Sequence, residues 1–207
     1  MSLDVAIVDY GMGNLRSVYN AFTHVAPELR IAITSDANAV HEARRVVVPG
    51  QSAMPDTMHA LNASGLRDAV VAAADEKPFL GICLGLQMLF DVGYEDGEHR
   101  GLGVLRGRCV RFDVDQTMNL KVPHMGWNQL SIKRQSPILR DLSDQSCVYF
   151  VHGYHVEPGD ESVIATTTDY GRPFVSSIWR DNLMATQFHP EKSQKVGLQM
   201  LANFAAM

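Results

Sequence analysis

Short apolar runs alternate with stretches of helical periodicity through the first half of the chain. Val5-Ala6-Ile7-Val8 offers no polar position to either face of a pleat, so it predicts a strand buried on both sides. Two glycines follow. Asn14 is then the expected N-cap of a helix whose apolar positions, Leu15, Val18, Tyr19, Phe22 and Val25, recur at helical spacing. The same strand-then-helix unit returns at Arg30 to Thr34, at Val46-Val47-Val48 and at Phe79-Leu80-Gly81-Ile82. Strands alternating with helices predict an α/β fold: an open, mostly parallel sheet with helices on both faces.

After Phe90 the pattern changes. Residues 92–103 carry four glycines and several charges and predict an exposed loop. Beyond them lie short β-type segments at Cys109 to Phe112, Cys147 to Val151, Val163 to Thr168, Phe174 to Trp179 and Leu183 to Phe188, expected as antiparallel additions in the C-terminal half. A last helix is predicted from near Ser193, with Val196, Met200, Leu201, Phe204 and Met207 forming its apolar stripe. No Pro- or Ser-rich linker or repeat divides the chain, so residues 1–207 are expected to form a single domain.

Composition narrows the function. With 46% hydrophobic residues, 20% charged residues and a net charge of −5, the chain reads as globular and lacks the basic surface that nucleic acid requires. Its three cysteines, Cys83, Cys109 and Cys147, are an odd number too sparse for a disulfide framework, which fits a reducing compartment. The start, Met1-Ser2-Leu3-Asp4, has no signal-peptide pattern, and the longest apolar run, Ala69 to Ala74, is far below the roughly 20 residues of a membrane span. A soluble cytoplasmic protein is expected, with no membrane association. Gly11-Met12-Gly13 hints at a dinucleotide fingerprint but has Arg16 where the third glycine belongs. His24, His41, His59 and His99 lack metal-ligand spacing, and His152 and His155 would fall on opposite faces of a strand. Neither a metal nor a cofactor is expected.

Two segments carry candidate chemistry. In the first, a buried strand runs into Cys83 and a helix starts at once, the strand-to-helix turn of a nucleophile elbow. Gly81 and Gly85 permit the tight turn and close helix packing, and a helix N-terminus favours thiolate. The alternative is a buried cysteine acting as a small apolar filler. In the second segment, a strand ends at His189, Pro190 directs the chain, and Glu191 follows. A cysteine nucleophile needs an imidazole as proton carrier and a carboxylate to orient it, roles that His189 and Glu191 can fill. The alternative there is a surface histidine beside a solvated glutamate.

Gly81-Ile82-Cys83-Leu84-Gly85-Leu86-Gln87, followed far along the chain by His189-Pro190-Glu191, resembles the class I, triad-type glutamine amidotransferases. Within that family, Asp9-Tyr10-Gly11-Met12-Gly13-Asn14-Leu15 with Ser17 and Val122-Pro123-His124-Met125-Gly126-Trp127-Asn128 are similar to glutaminase subunits of imidazole glycerol phosphate synthase. So are Tyr149-Phe150-Val151-His152 and Gln187 through Ser193. The resemblance runs from the first strand to the last helix. It implies Cys83, His189 and Glu191 as the triad of a glutaminase, with Gln87 helping to hold L-glutamine. It further implies an oxyanion hole from the backbone of Pro49-Gly50-Gln51-Ser52 and the amide of Leu84, with Gly153 and Tyr154 also on the substrate side. Ammonia would pass to a separate cyclase subunit, a (β/α)8 barrel that makes imidazole glycerol phosphate for histidine synthesis, and His124, Trp127, Asn128 and Lys192 match positions facing that partner.

The division of labour is physically sensible, because ammonia released into water becomes the non-nucleophilic ammonium ion, so a shielded route to a docked partner is required. An exposed His-Met-Gly-Trp patch is an expected anchor, since tryptophan is enriched at binding hot spots, although Trp127 alone reads as a core residue. The chain departs from its family in two places: Gln51 and Ser52 stand where Val-Gly is usual, and Gly153 where serine or threonine is usual. Two competing readings remain. One is a stand-alone cysteine hydrolase on the same elbow, which leaves the Val-Pro-His-Met-Gly-Trp-Asn segment unexplained. The other is a non-catalytic binding subunit that has kept the fold.

Overall fold

A computed structural model describes residues 2–113 and 120–207. The first half alternates as the apolar runs predict: β1 (Val5–Val8), α1 (Leu15–Val25), β2 (Ile31–Thr34), α2 (Ala37–Glu42), β3 (Val46–Gly50), α3 (Met54–Ala63), α4 (Arg67–Glu76), β4 (Phe79–Cys83) and the single turn α5 (Leu84–Gln87). Strands β2, β1, β3 and β4 lie side by side and parallel, and β14 (Leu183–Thr186) continues the row parallel to β4.

Both faces of this sheet are covered. On β1, Ala6 and Val8 enter one core while Val5 and Ile7 enter the other. The first core is closed by Val40 of α2, Met58 and Leu61 of α3 and Val70 of α4. The second is closed by Phe22 of α1 with Leu201 and Phe204 of α6 (Gln194–Ala205), the two phenylalanine rings meeting edge-on at 6.0 Å. Each such side chain, fully buried, contributes about 1.5–3 kcal/mol relative to exposure. That is why these strands read as continuous apolar runs rather than alternating ones.

The second half extends the sheet with antiparallel strands. β13 (Pro173–Arg180) pairs with β14, with β12 (Ile164–Asp169) and with β11 (Tyr154–Pro158), and β11 pairs with β7 (Leu105–Arg111). β5 (Phe90–Gly93) runs parallel to β7 and forms a hairpin with β6 (His99–Arg100), while β9 (Ser131–Ile132) adds to β12. β8 (His124–Gln129) and β10 (Cys147–His152) form a separate antiparallel pair. Among the described residues no helix is long and apolar enough to cross a membrane.

The exposed loop expected at 92–103 is corrected by this arrangement. It holds the β5–β6 hairpin, and Gly93 is buried because a Cβ there would lie 2.1 Å from the Met54 sulfur. Glycine in this stretch marks close packing under α3 as well as turns.

Candidate active site

Cys83 ends β4 with φ 57 and ψ −108, a backbone conformation costly for a residue with a Cβ. The surroundings enforce it. A Cβ on Gly85 would lie 2.0 Å from the Val48 carbonyl oxygen and one on Gly81 would lie 2.4 Å from that of Gly85, so α5 packs against β3 and β4 at a distance only glycine allows. The turn pushes the sulfur out at the carboxyl ends of the parallel strands, where such sheets bind ligands.

β14 delivers the second group. Its register with β4 places Thr186 opposite Ile82, so the chain beyond it carries Gln187 and His189 along the elbow. The His189 backbone N–H donates to the Tyr149 carbonyl at 3.0 Å, and its carbonyl accepts from Ser193 Oγ at 2.7 Å, which fixes the imidazole's root. A short 3-10 turn, Pro190–Lys192, then folds Glu191 back beneath the ring. His189 Nδ1 donates to Glu191 Oε1 at 2.8 Å, and Asn14 Nδ2 donates to the same oxygen at 3.1 Å. With its proton committed to the carboxylate, the ring turns Nε2, buried and without a hydrogen bond of ordinary geometry, toward Cys83.

Electrostatics follow from this packing. Burial opposes the charged form of His189, but the Cys83 sulfur and the Glu191 carboxylate outweigh it and raise the imidazole pKa to about 10. Burial has the opposite sign for Glu191, pushing its pKa upward, and the hydrogen bonds from His189 and Asn14 and the His189 charge reverse that, holding the carboxyl below its ordinary range. The site therefore favours an imidazolium beside the Cys83 sulfur.

These groups open on a cavity of about 300 Å³. Cys83, Leu84 and Gln87 form one wall, Gly153 and Tyr154 another, and Gln51 and Ser52 sit at the mouth. Gly50 lies just behind them, at the buried end of β3, where a Cβ would lie 2.7 Å from that of Leu84. The Tyr10 hydroxyl pins this segment by donating to the Pro49 carbonyl at 2.8 Å, and Ser52 is held at φ 102. Glu95 and Lys192 contribute opposite charges to the lining, a pattern suited to a zwitterion.

The expected partner-facing residues separate. Met125 and Trp127 are 62% and 48% exposed on the outer face of β8, Trp127 leaning edge-on against Tyr149 at 5.9 Å, and Lys192 is exposed at the cavity's edge. Asn128 is half-buried and donates to the Asp169 carbonyl at 2.8 Å. His124 is the correction. Strand alternation turns it inward, 3% exposed, stacked between Tyr170 at 4.0 Å and Phe150 at 4.8 Å, and burial lowers its pKa to about 4. It therefore does not belong to an exposed patch.

Asn14 occupies the N-cap of α1 as expected, but its side chain makes no capping bond and its Nδ2 donates instead to Glu191. Tyr10, Glu95 and Gln187 also border the site. Tyr10 and Gln187 lie within the family-like segments, which by themselves assign neither a role. Glu95 lay in the stretch read as loop. Among the described residues no three His, Cys, Asp or Glu side chains are grouped to hold a metal ion.

Comparison with known proteins agrees with the geometry. Residues 6–207 match the family glutamine amidotransferase class-I. The chain is 52% identical over 206 residues to imidazole glycerol phosphate synthase subunit HisH of Aromatoleum aromaticum, covering 97% of each chain. It is 51% identical to the subunit of the same name from Syntrophotalea carbinolica, covering 98% of this chain and all of that one. Among solved structures, PurLQS from Thermotoga maritima shares the fold, with a TM-score of 0.70 at 16% identity over 99% of this chain and 96% of the other.

Proposed function

The chain belongs to the class I glutamine amidotransferases, and we propose that it is the glutaminase subunit of imidazole glycerol phosphate synthase, releasing ammonia from L-glutamine for a cyclase subunit. The observation that carries this reading is the meeting of Cys83 and His189 in the lining of a cavity shared with Gln87, with Glu191 hydrogen-bonded to His189 behind it. Glu95 in the lining suits the ammonium group of a glutamine whose carboxamide extends to the elbow.

The Cys83 thiolate attacks the side-chain carboxamide carbon, forming a C–S bond while the carbonyl electrons move onto oxygen. Backbone N–H groups of Leu84 and of the Gly50–Ser52 segment stabilise that oxyanion. His189 gives its proton to the amide nitrogen, the C–N bond breaks, and ammonia leaves behind a thioester. The neutral imidazole then takes a proton from water, which attacks the thioester carbon, and the C–S bond breaks to release glutamate. Glu191 keeps the ring oriented and stabilises its charged form throughout.

Ammonia must then travel shielded from water, and the exposed Met125–Trp127 face, with Asn128 and Lys192 beside it, is the surface on which a (β/α)8 cyclase would close. Incubation with a thiol-reactive analogue of glutamine in the presence of the cyclase tests the reading. A single adduct at Cys83 is expected. No adduct under any condition supports a non-catalytic binding subunit, and full glutamine hydrolysis without a cyclase supports a stand-alone hydrolase.

A further inference from the structure

Gln187 is fully buried beside the triad, yet no step above uses it. The parallel register that sets Thr186 opposite Ile82 makes Gln187 and Cys83 neighbours at the ends of β14 and β4. The Gln187 backbone is fixed by its N–H donating to the Ser176 carbonyl at 2.9 Å. Its side-chain amide then makes two contacts of opposite sense: Oε1 accepts from Gln87 Nε2 at 3.1 Å, and Nε2 donates toward Cys83 Sγ at 3.8 Å.

That orientation is self-consistent in only one way. Gln87 spends its amide hydrogens on Gln187 Oε1 and on the Tyr154 carbonyl at 3.2 Å, which leaves its own oxygen as the atom open to a ligand. If the Gln187 amide flipped, its N–H groups would face those of Gln87 and its oxygen would face the sulfur. A thiolate at Cys83 makes the second consequence repulsive, so the charged nucleophile and the orientation of Gln87 reinforce each other.

Resting on the glutaminase reading, we propose that Gln187 is a further catalytic residue that holds the Cys83 thiolate through its N–H and, with its carbonyl, locks Gln87 so that an acceptor oxygen faces the substrate's donor groups. One buried amide thereby ties the nucleophile to the substrate-binding side chain. Reactivity at the sulfur and affinity for glutamine depend on the same residue through separate atoms.

Two substitutions separate those atoms. Gln187→Met removes both contacts, whereas Gln187→Glu keeps the acceptor toward Gln87 and sets a second acidic group against the sulfur. The full-length protein is titrated with iodoacetamide from pH 5 to pH 10, with modification at Cys83 read by peptide mass spectrometry. Exposed Cys147 serves as the internal standard. Glutamine KM and kcat are measured in complex with the cyclase. Gln187→Met is expected to slow Cys83 alkylation at neutral pH by about tenfold, move its profile to higher pH and raise KM by about tenfold. Gln187→Glu is expected to suppress alkylation while sparing KM. Adding Gln87→Met to Gln187→Met should raise KM no further than Gln187→Met alone, since one acts through the other. Folded variants whose Cys83 alkylation profile and KM both match wild type overturn the proposal. A wild-type protein that turns over no glutamine with the cyclase overturns the glutaminase reading instead.

Discussion

Asn14 and Glu191, 177 positions apart in the chain, meet through a 3.1 Å hydrogen bond to the carboxylate oxygen that also holds His189. The first βα turn therefore supports an imidazole–carboxylate pair that comes from the far end of the chain. If Glu191 orients the ring without accepting its proton, as proposed, Glu191→Gln should cost less in kcat than His189→Ala, which removes both proton transfers. Asn14→Ala should cost least, about tenfold, as loss of one hydrogen bond to a charged group that keeps its main partner. Glutamine turnover in the complex, with each variant's fold checked by circular dichroism, ranks the three; a Glu191 variant as inactive as the His189 variant contradicts the assignment of roles.

The buried histidines set a two-sided pH dependence of stability. His124 and His152 are packed neutral, their pKa values lowered by burial to about 4 and about 3, and His124 Nδ1 lies 3.2 Å from His152 Nε2. Below an ordinary value of about 6.5 the unfolded chain takes up the protons these rings refuse, so their contribution is complete above that pH and falls away toward pH 4. His189 has the opposite sign. Its raised pKa makes its contribution complete below about 6.5 and lost as pH climbs toward 10. Urea unfolding should show stability falling by on the order of 2 kcal/mol per inward histidine between pH 7 and pH 5, and His124→Phe should flatten that limb. An equal unfolding midpoint at pH 5 and pH 7 contradicts the neutral packing.

How far the sequence speaks for the structure depends on whether local pattern and tertiary role coincide. Val5–Val8 and Val46–Val48 are apolar on both faces because both faces are covered, so a parallel sheet was legible there. The elbow at Cys83 was legible because Gly81 and Gly85 flank it on either side, where the turn and the close packing of α5 need them. β8 was not, because it inverts the usual rule: Met125 and Trp127 face outward while His124 goes inside. The roles of Asn14 and Gln187 were hidden for a different reason. Each is defined by a partner brought from a distant part of the chain, and no periodicity encodes that. Glu95 was lost with the β5–β6 hairpin, whose buried Gly93 resembles a loop glycine in sequence.

Trp127→Ala tests the docking face. Trp127 is 48% exposed in the free chain, and as a central anchor its removal should weaken cyclase binding by about 2 kcal/mol or more, roughly thirtyfold in Kd. Titration calorimetry should find this loss in a variant whose circular dichroism shows the fold intact. Unaltered affinity would place the partner elsewhere.

Ser52 stands at φ 102, where a Cβ is strained and glycine is not. Ser52→Gly should stabilise the chain by about 1 kcal/mol and, by freeing the peptide that borders the oxyanion, raise glutamine hydrolysis in the absence of the cyclase. Thermal unfolding and a basal glutaminase assay check the two effects. A destabilised variant with unchanged basal activity would remove Ser52 from the account.

Cys83→Ala in complex with the cyclase, assayed first with glutamine and then with an ammonium salt as nitrogen source, decides whether Cys83 is the nucleophile of a glutaminase serving a separate ammonia-consuming site. Gly81 and Gly85 set the elbow and alanine fits it, so the complex should assemble. Glutamine-driven turnover should fall by about 10⁴-fold or more, as expected for loss of a triad nucleophile, while ammonium-driven turnover persists at the wild-type rate. Glutamine-driven turnover within about tenfold of wild type would contradict the account, because it far exceeds what a triad without its nucleophile leaves.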